Sequence, residues 1–328
     1  MKAITYQKAR DAFTLSELKV PEIEQPFDVL VKVHAVGLNP VDAKIHLWHG
    51  MGLDMDDNFV TGLDVSGEIV ALGDSVTGWQ VGDKVLYHGN MRRAHGGFAE
   101  FAIQDSRSLV THPQTSAEVA AASPCAAWTA YRALFDKLSA DKRSSVFIAG
   151  GAGGVGSFAI QLAKLAGINT IITTASEANH DFLKTLGATH TIDYRQGKVA
   201  EQVMQITADL GVEIALDCVG GDNDILCASV LGYEGEMVEL VNTVNPQNYN
   251  NAFLQGLSFH QLSLGSGHVN SAAGRATLFD SGTKVSALLS DGSLQVPELT
   301  VISMEQIGDA LMKMRDQRTV GKIVAKFV

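Results

Sequence analysis

Gly151, Gly153 and Gly156 stand at GxGxxG spacing inside the run Val146-Phe-Ile-Ala-Gly-Gly-Ala-Gly-Gly-Val-Gly156. The chemistry that spacing serves is the holding of a pyrophosphate. The first glycine permits a tight turn, the second lets backbone approach the ligand, and the third lets a helix pack on a strand. Gly154 and Val155 lead into the helical pattern Phe158-Ala-Ile-Gln-Leu-Ala-Lys-Leu165, whose unpaired N–H groups and positive dipole end would face the phosphates. An ordinary strand-to-helix turn is the competing reading, because a chain with 32 glycines produces this spacing by chance somewhere. The apolar strand directly before the glycines and the helix directly after them favour a dinucleotide site.

Which dinucleotide depends on the end of the next strand. NAD-binding chains usually place Asp or Glu about 20 residues past the glycines, to accept from the ribose 2′-hydroxyl. Here the strand ends Thr173-Thr-Ala-Ser176. Ser176 offers a hydroxyl and no carboxylate to repel a 2′-phosphate, so NADP (as NADPH) is the expected cofactor, although Glu177 follows directly and pulls the other way.

The elements that must position these residues come in two textures. Val29-Leu-Val-Lys-Val-His-Ala-Val36 alternates, Val65 to Ala71 is a short apolar run ending at Gly73, and Gly96-Gly-Phe-Ala-Glu-Phe-Ala102 reads as a strand entered through a glycine pair. This is the pattern of an antiparallel, barrel-like β domain. From about Ser116 the chain turns alanine-rich and helical, with Ala126 to Phe135 expected as helix. Strands and helices then alternate through Thr170 to Thr174, Asn179 to Leu186, Thr191 to Tyr194, a helix over roughly 198–208, Val212 to Asp217 and Glu236 to Val241. Such alternation predicts parallel strands with crossover helices. Helical stretches at 276–289 and 304–315 and a closing strand over 322–328, expected to rejoin the first domain, complete the chain. The fold class is α/β, with a β-barrel domain over 1–122 and 268–328 and a doubly wound parallel sheet over 123–267.

Composition narrows the function classes. The 328 residues suffice for two hydrophobic cores. No apolar run reaches the roughly 18 residues of a spanning helix, and the first residues carry no signal-peptide core, so a cytoplasmic protein without a membrane partner is expected. Acidic residues outnumber basic ones 36 to 25, which makes nucleic acid an unsuitable partner. Three cysteines, Cys125, Cys218 and Cys227, without CxxC spacing exclude a disulfide framework and a four-cysteine zinc.

Short segments spread along almost the whole chain resemble the zinc-independent quinone oxidoreductase branch of the medium-chain dehydrogenase/reductase superfamily. They are Gly37-Leu-Asn-Pro-Val-Asp42, Gly62-Leu-Asp-Val-Ser-Gly-Glu-Ile-Val70, Gly82-Asp-Lys-Val85, Gly97-Phe-Ala-Glu100, Ala127-Trp-Thr-Ala130, the glycine turn, Asp217-Cys-Val-Gly-Gly221 and Gly321-Lys-Ile-Val324. The resemblance implies a GroES-like catalytic domain, an inserted Rossmann domain, a cleft between them, and hydride transfer from a nicotinamide nucleotide. The zinc-dependent members ligate metal through Cys, the His of a GHE motif, and a later Cys or Glu. Asn39 stands in the place of the first cysteine, Leu63 and Asp64 replace the His and Glu of GHE, and the histidine pairs His46/His49 and His88/His95 have no cysteine near them in sequence, so no metal site is expected.

Without a Lewis acid, reduction of a conjugated C=C or a quinone is easier than oxidation of an alcohol, which implies a small apolar carbonyl or quinone substrate. Lys44 is similar in place to the lysine of the enone reductases of this branch, where an ammonium would hold the cofactor ribose or polarise the substrate carbonyl. A lysine on a solvated turn is the alternative. Asn39 is the second candidate at the reacting centre, with loop shaping as its other role. The resemblance also places Thr129, Cys218, Val219, Leu240 and Val241 along the cofactor, and Tyr194 of Asp193-Tyr-Arg195 against the 2′-phosphate. The family's lysine shortly after Ser176 is absent, the stretch reading Glu177-Ala-Asn-His180. Gly265 to Gly267 are either a turn closing over the nicotinamide or a plain connection. The segments 47–55, 88–95 and 242–270 are expected to line the substrate pocket. A homodimer is the family expectation. A zinc-free NADP-dependent alcohol dehydrogenase and a nucleotide-binding sensor with little catalysis are the rival functions.

Overall fold

The computed structural model describes every residue except His49, Leu53, Asp54, Asp57, Asp316, Gln317, Arg318 and Val328. It divides into a unit of Met1–Trp128 with Leu264–Val328 and a unit of Thr129–Ser263. These bounds run past the expected 122/123 and fall short of the expected 267/268 for identifiable reasons. Trp128 packs beside Gly282 and Val110, and the Cys125 N–H donates to Asp64, which ties the segment before residue 129 to the first unit. His268 hydrogen-bonds the His88 carbonyl and does the same for the turn Leu264–His268.

In the first unit the long strand Asp28–Leu38 carries the sheet. Its β-branched positions Val29, Val31, Val33 and Val36 fill a core with Val65, Ile69, Val85, Tyr87 and Phe98, so its alternation in sequence becomes a buried face. Along one edge it pairs antiparallel with Asp64–Leu72. Along the other, its first half takes Phe101–Asp105 and its second half takes Lys322–Lys326. The closing strand thus rejoins this unit as expected; of the expected range, Val328 lies outside the described residues. A hairpin, Lys2–Gln7 with Ala12–Glu17, and a parallel pair, Leu299–Ile302 with Lys322–Lys326, are strands that local pattern does not single out.

The second unit is one parallel sheet. Its strands lie in the order His190–Asp193, Thr170–Ala175, Ser145–Ala149, Val212–Asp217, Leu231–Glu239, Ser258–Gln261. In sequence order that is 3-2-1-4-5-6, the doubly wound arrangement, with its topological switch between Ser145–Ala149 and Val212–Asp217. The expected helices appear at Gly154–Leu165, His180–Leu186 and Val199–Ile206. The helix expected over Ala126 to Phe135 is instead broken into π-type turns at Pro124–Trp128 and Arg132–Lys137 around the short helix Thr129–Tyr131. The two helical stretches near the end are a single 20-residue helix, Ser271–Ser290, and the shorter Ile307–Arg315. Among the described residues no helix is long and apolar enough to cross a membrane.

Candidate functional site

The glycine turn lies at the sheet's switch point, at the C-terminal end of Ser145–Ala149. Its three motif glycines are glycine for different reasons. The left-handed residue is Gly150, at φ +81°, one position before the motif, so the tight turn expected of Gly151 belongs to its neighbour. Gly151 is needed for space: a β-carbon there would run into the Thr173 hydroxyl, which donates to the Ile148 carbonyl at 2.8 Å. Gly156 is likewise pressed against the Gly150 carbonyl, as helix-on-strand packing requires. At Gly153 a β-carbon would meet only the Gly150 oxygen, at an ordinary 3.5 Å. Nothing in the protein demands a missing side chain there. The space beyond Gly153 is what a pyrophosphate would occupy, with Gly154 and Val155 in the first turn of the helix below it.

The other expected cofactor residues follow the ends of adjacent strands. Ala149, Asp217 and Glu239 are register partners, which sets Gly150, Cys218 and Leu240 side by side along one sheet edge. Val219 and Val241 are both partly exposed there, and a β-carbon on Gly150 would lie 2.5 Å from the Val219 side chain. Their backbone is pinned from below. Asp217 Oδ1 accepts from the Val219 and Gly220 N–H groups at 2.8 and 2.9 Å, and Glu239 Oε1 accepts from Val241 and Asn242 at 2.6 Å each. Burial pushes the Cys218 thiol well up, which makes it a packed residue and no nucleophile. Thr129 is buried at the start of its short helix, which packs on Gly154–Leu165.

At the far side of the switch, Asp193 pairs in register with Ala175, so Ser176 and Tyr194 lie next to each other beyond the two strands. Tyr194 is largely exposed, and the Ser176 hydroxyl accepts from Asn179 Nδ2 at 3.0 Å. Arg195 follows Tyr194 directly. Its guanidinium grips Asp193 through Nε and Nη2, at 3.0 and 2.7 Å, with Glu177 in electrostatic range. The ion pair flanks Tyr194, and its signal in sequence was the Arg of Asp193-Tyr-Arg195.

In the first unit, Asn39 caps the short helix Pro40–Ala43 and both ends of its amide are occupied. Nδ2 donates to Asp64 Oδ2 at 2.9 Å and Oδ1 accepts from the Lys322 ammonium at 2.6 Å. Asn39 is buried, and these two bonds tie its side chain to Asp64 and Lys322. Asp42 is held by Thr61 Oγ1, Gly62 N–H and Asn39 N–H. Burial, with the Asp64 charge adding to it, raises its carboxyl to about 7; burial raises Asp64 to about 6, against the pull of Lys322. Lys44 follows the helix at its C-terminal end, half-buried, and among the described residues its ammonium has no hydrogen bond or ion pair. Of the two residues expected at the reacting centre, Asn39 is buried within this network, whereas the Lys44 ammonium has no hydrogen bond or ion pair among the described residues.

Folding brings a cysteine beside a histidine, which sequence distance concealed. Donor atoms of Asp64, His88 and Cys125 lie within 4.8 Å of one another. Burial lowers His88 to about 4 and pushes the Cys125 thiol up. His88 Nδ1 is buried without a partner among the described residues, and its ring stacks on His268 at 6.0 Å. The turn at Gly265–Gly267 is braced by Asn270 on the Ser266 carbonyl and by packing of Gly267 on Leu278. Of the loop expected to line the pocket, His49, Leu53 and Asp54 lie outside the described residues.

Comparison with known proteins fits this geometry. Residues 25–114 match the model of the alcohol dehydrogenase GroES-like domain and residues 154–276 that of the zinc-binding dehydrogenase, together more than half of the chain. The structure is similar to that of the quinone oxidoreductase from Coxiella burnetii, with a TM-score of 0.84 and 28% identity, covering 100% of this chain and 99% of that one. The chain belongs to the medium-chain dehydrogenase/reductase superfamily. Within that superfamily it falls in the quinone-oxidoreductase-like branch. It is 32% identical over 314 residues to the synaptic vesicle membrane protein VAT-1 homolog of Danio rerio, covering 90% of this chain and 63% of that protein. It is 32% identical over 243 residues to the 2-methylene-furan-3-one reductase of Solanum lycopersicum, covering 71% of this chain and 60% of that one. The matched region spans about three fifths of the length of these curated relatives.

One superfamily domain is named for zinc, and among the described residues Asp64, His88 and Cys125 are the cluster that could hold one. A catalytic zinc takes three protein ligands and water. Asp64 Oδ1 already accepts from the Cys125 N–H and Oδ2 from Asn39, with the Lys322 ammonium 3.8 Å away. A dication would sit within a few ångströms of that buried ammonium. With both Asp64 oxygens engaged and the Lys322 ammonium beside them, the site as built does not fit zinc.

Proposed function

We propose that the protein is an NADPH-dependent oxidoreductase that reduces quinones or α,β-unsaturated carbonyls without a catalytic metal, as a cytoplasmic homodimer. The observation that carries the reading is Lys322: its ammonium neutralises Asp64 in the one place where donors of a zinc site gather among the described residues. The names of the Coxiella and tomato relatives support the substrate class.

When bound, the reduced nicotinamide supplies the hydride. The chain's residues do the rest. The Gly154 and Val155 end of the helix and the open face of Gly153 hold the phosphates, while Ser176, Tyr194 and Arg195 receive the 2′-phosphate. Val219, Leu240 and Val241 form the seat beyond the strand ends. Lys44, with its ammonium unengaged, donates to the oxygen that gains negative charge as the double bond is reduced, or holds the ribose. The dimer reading rests on the edge strand Ser258–Gln261 and on the exposed Tyr233, Phe253 and Leu254 near it, at 77%, 94% and 78% exposure.

The test is oxidation of NADPH and of NADH, with and without a zinc chelator, across quinones, alkenals and cyclic enones. NADPH turnover of at least one class, unaffected by chelator, is expected. Tighter use of NADH would overturn the cofactor, loss of activity with chelator would overturn the metal-free chemistry, and binding without turnover would favour a sensor.

A further inference from the structure

Asp217 and Glu239 end adjacent parallel strands as register partners, and both are fully buried, at 0% and 1% exposure. Each uses one oxygen to accept two backbone N–H bonds from the turn that follows it. The remaining oxygens, Asp217 Oδ2 and Glu239 Oε2, are buried without a hydrogen-bond partner among the described residues, and the two side chains are within hydrogen-bond reach of each other. Two bare carboxylates cannot stay so placed, because both are acceptors and both are charged in a dry site. One proton between them converts that repulsion into a hydrogen bond.

We propose that Asp217 and Glu239 share a single proton, and that this proton positions the turns at 219–220 and 241–242 as the seat of the cofactor. The second half rests on the dinucleotide reading above. The groups facing Glu239 are Asp217 and Cys218 from the neighbouring strand end, Asp224 and Cys227 from the helix Asn223–Ser229, the Tyr249 phenol, and its register partner Gln261. They are acids, thiols, a phenol and an amide, and none is a cation. Burial first, then the hydrogen bond to Asp217, raises Glu239 to about 7. Loss of the proton at alkaline pH leaves two like charges under the turns that present Val219 and Val241.

The pair is tested without any ligand. An acid whose folded value lies above its unfolded value of about 4.3 gives stability that is full below that value and lost as pH rises through about 7. Urea midpoints of the wild type should therefore fall between pH 5 and 8 more steeply than those of Glu239→Gln, whose amide still donates to Asp217 but cannot titrate. Asp217→Asn, which puts a permanent donor against Glu239, should flatten the curve in the same way and serves if the first variant does not fold. Equal slopes in wild type and variants overturn the shared proton.

NADPH binding followed by its fluorescence tests the positioning. Affinity of the wild type should drop about tenfold from pH 6 to 8.5, staying within about twofold in Glu239→Gln, while Glu239→Ala should bind weakly at both. A wild-type pH profile retained in Glu239→Gln overturns the positioning. Binding of neither NADPH nor NADH at any pH would fail the cofactor reading instead, leaving the stability curves to judge the pair.

Discussion

Gly153 and Gly151 sit two residues apart, yet substitution should separate ligand from fold. Gly153→Ala adds a β-carbon where the protein leaves room. NADPH affinity is expected to fall at least about tenfold, some 1.4 kcal/mol, with the urea midpoint unchanged. Gly151→Ala presses on the Thr173 hydroxyl and should cost about 1–3 kcal/mol of stability. Equal effects of the two variants on both measurements would refute the distinction. Lys44→Ala should lower enone turnover at least about tenfold in steady-state assays, as loss of a donor to developing charge does; unchanged turnover would return Lys44 to an ordinary surface role. The glycine run was legible because the turn, its strand and its helix are contiguous. The neighbourhood of Asp64, His88 and Cys125 was not, since spacing carries no information about residues gathered from two strands and a helical turn.

At the scale of elements, Lys322 joins the strand Lys322–Lys326 to Asn39 and Asp64 in a fully buried network. Lys322→Ala leaves Asp64 with uncompensated charge and is expected to cost about 3–5 kcal/mol in urea unfolding. A loss under about 1 kcal/mol would mean that Asp64 simply takes up a proton. Asp42 and Asp64 are both raised, to about 7 and 6, so the stability they contribute is complete below their unfolded values of about 4 and lost as pH rises through 6 to 7. Asp42→Asn should shorten that decline. Strongly periodic elements such as Asp28–Leu38 and Gly154–Leu165 were readable from pattern. The strands Ser258–Gln261 and Leu299–Ile302 were not, because four residues of mixed burial become strands only through the neighbours they pair with. Nor was the break in the helix after Pro124, where alanine-rich sequence suits a helix but packing imposes π-type turns.

For the whole molecule, the doubly wound order of the parallel sheet and the return of the closing strand to the first unit follow from alternation and from handedness rules that admit few topologies. Assembly is a separate matter, since a single chain's pattern does not say which apolar surface meets another copy. If Phe253 and Leu254 meet a second copy, Phe253→Asp should convert a dimer to a monomer in sedimentation velocity, and an unchanged sedimentation coefficient would place the interface elsewhere. One bond has a consequence in time. Asn39 and Lys322 are 283 residues apart, so at 5–20 residues per second a ribosome that has made the first must run roughly 15–60 s before making the second. All six strands of the parallel sheet emerge within that interval, whereas the edge at Ala35–Leu38 stands open, its N–H and C=O groups unpaired on one side. The parallel sheet therefore has all its strands by Gln261, while the first unit must wait for Lys322–Lys326 to close its open edge.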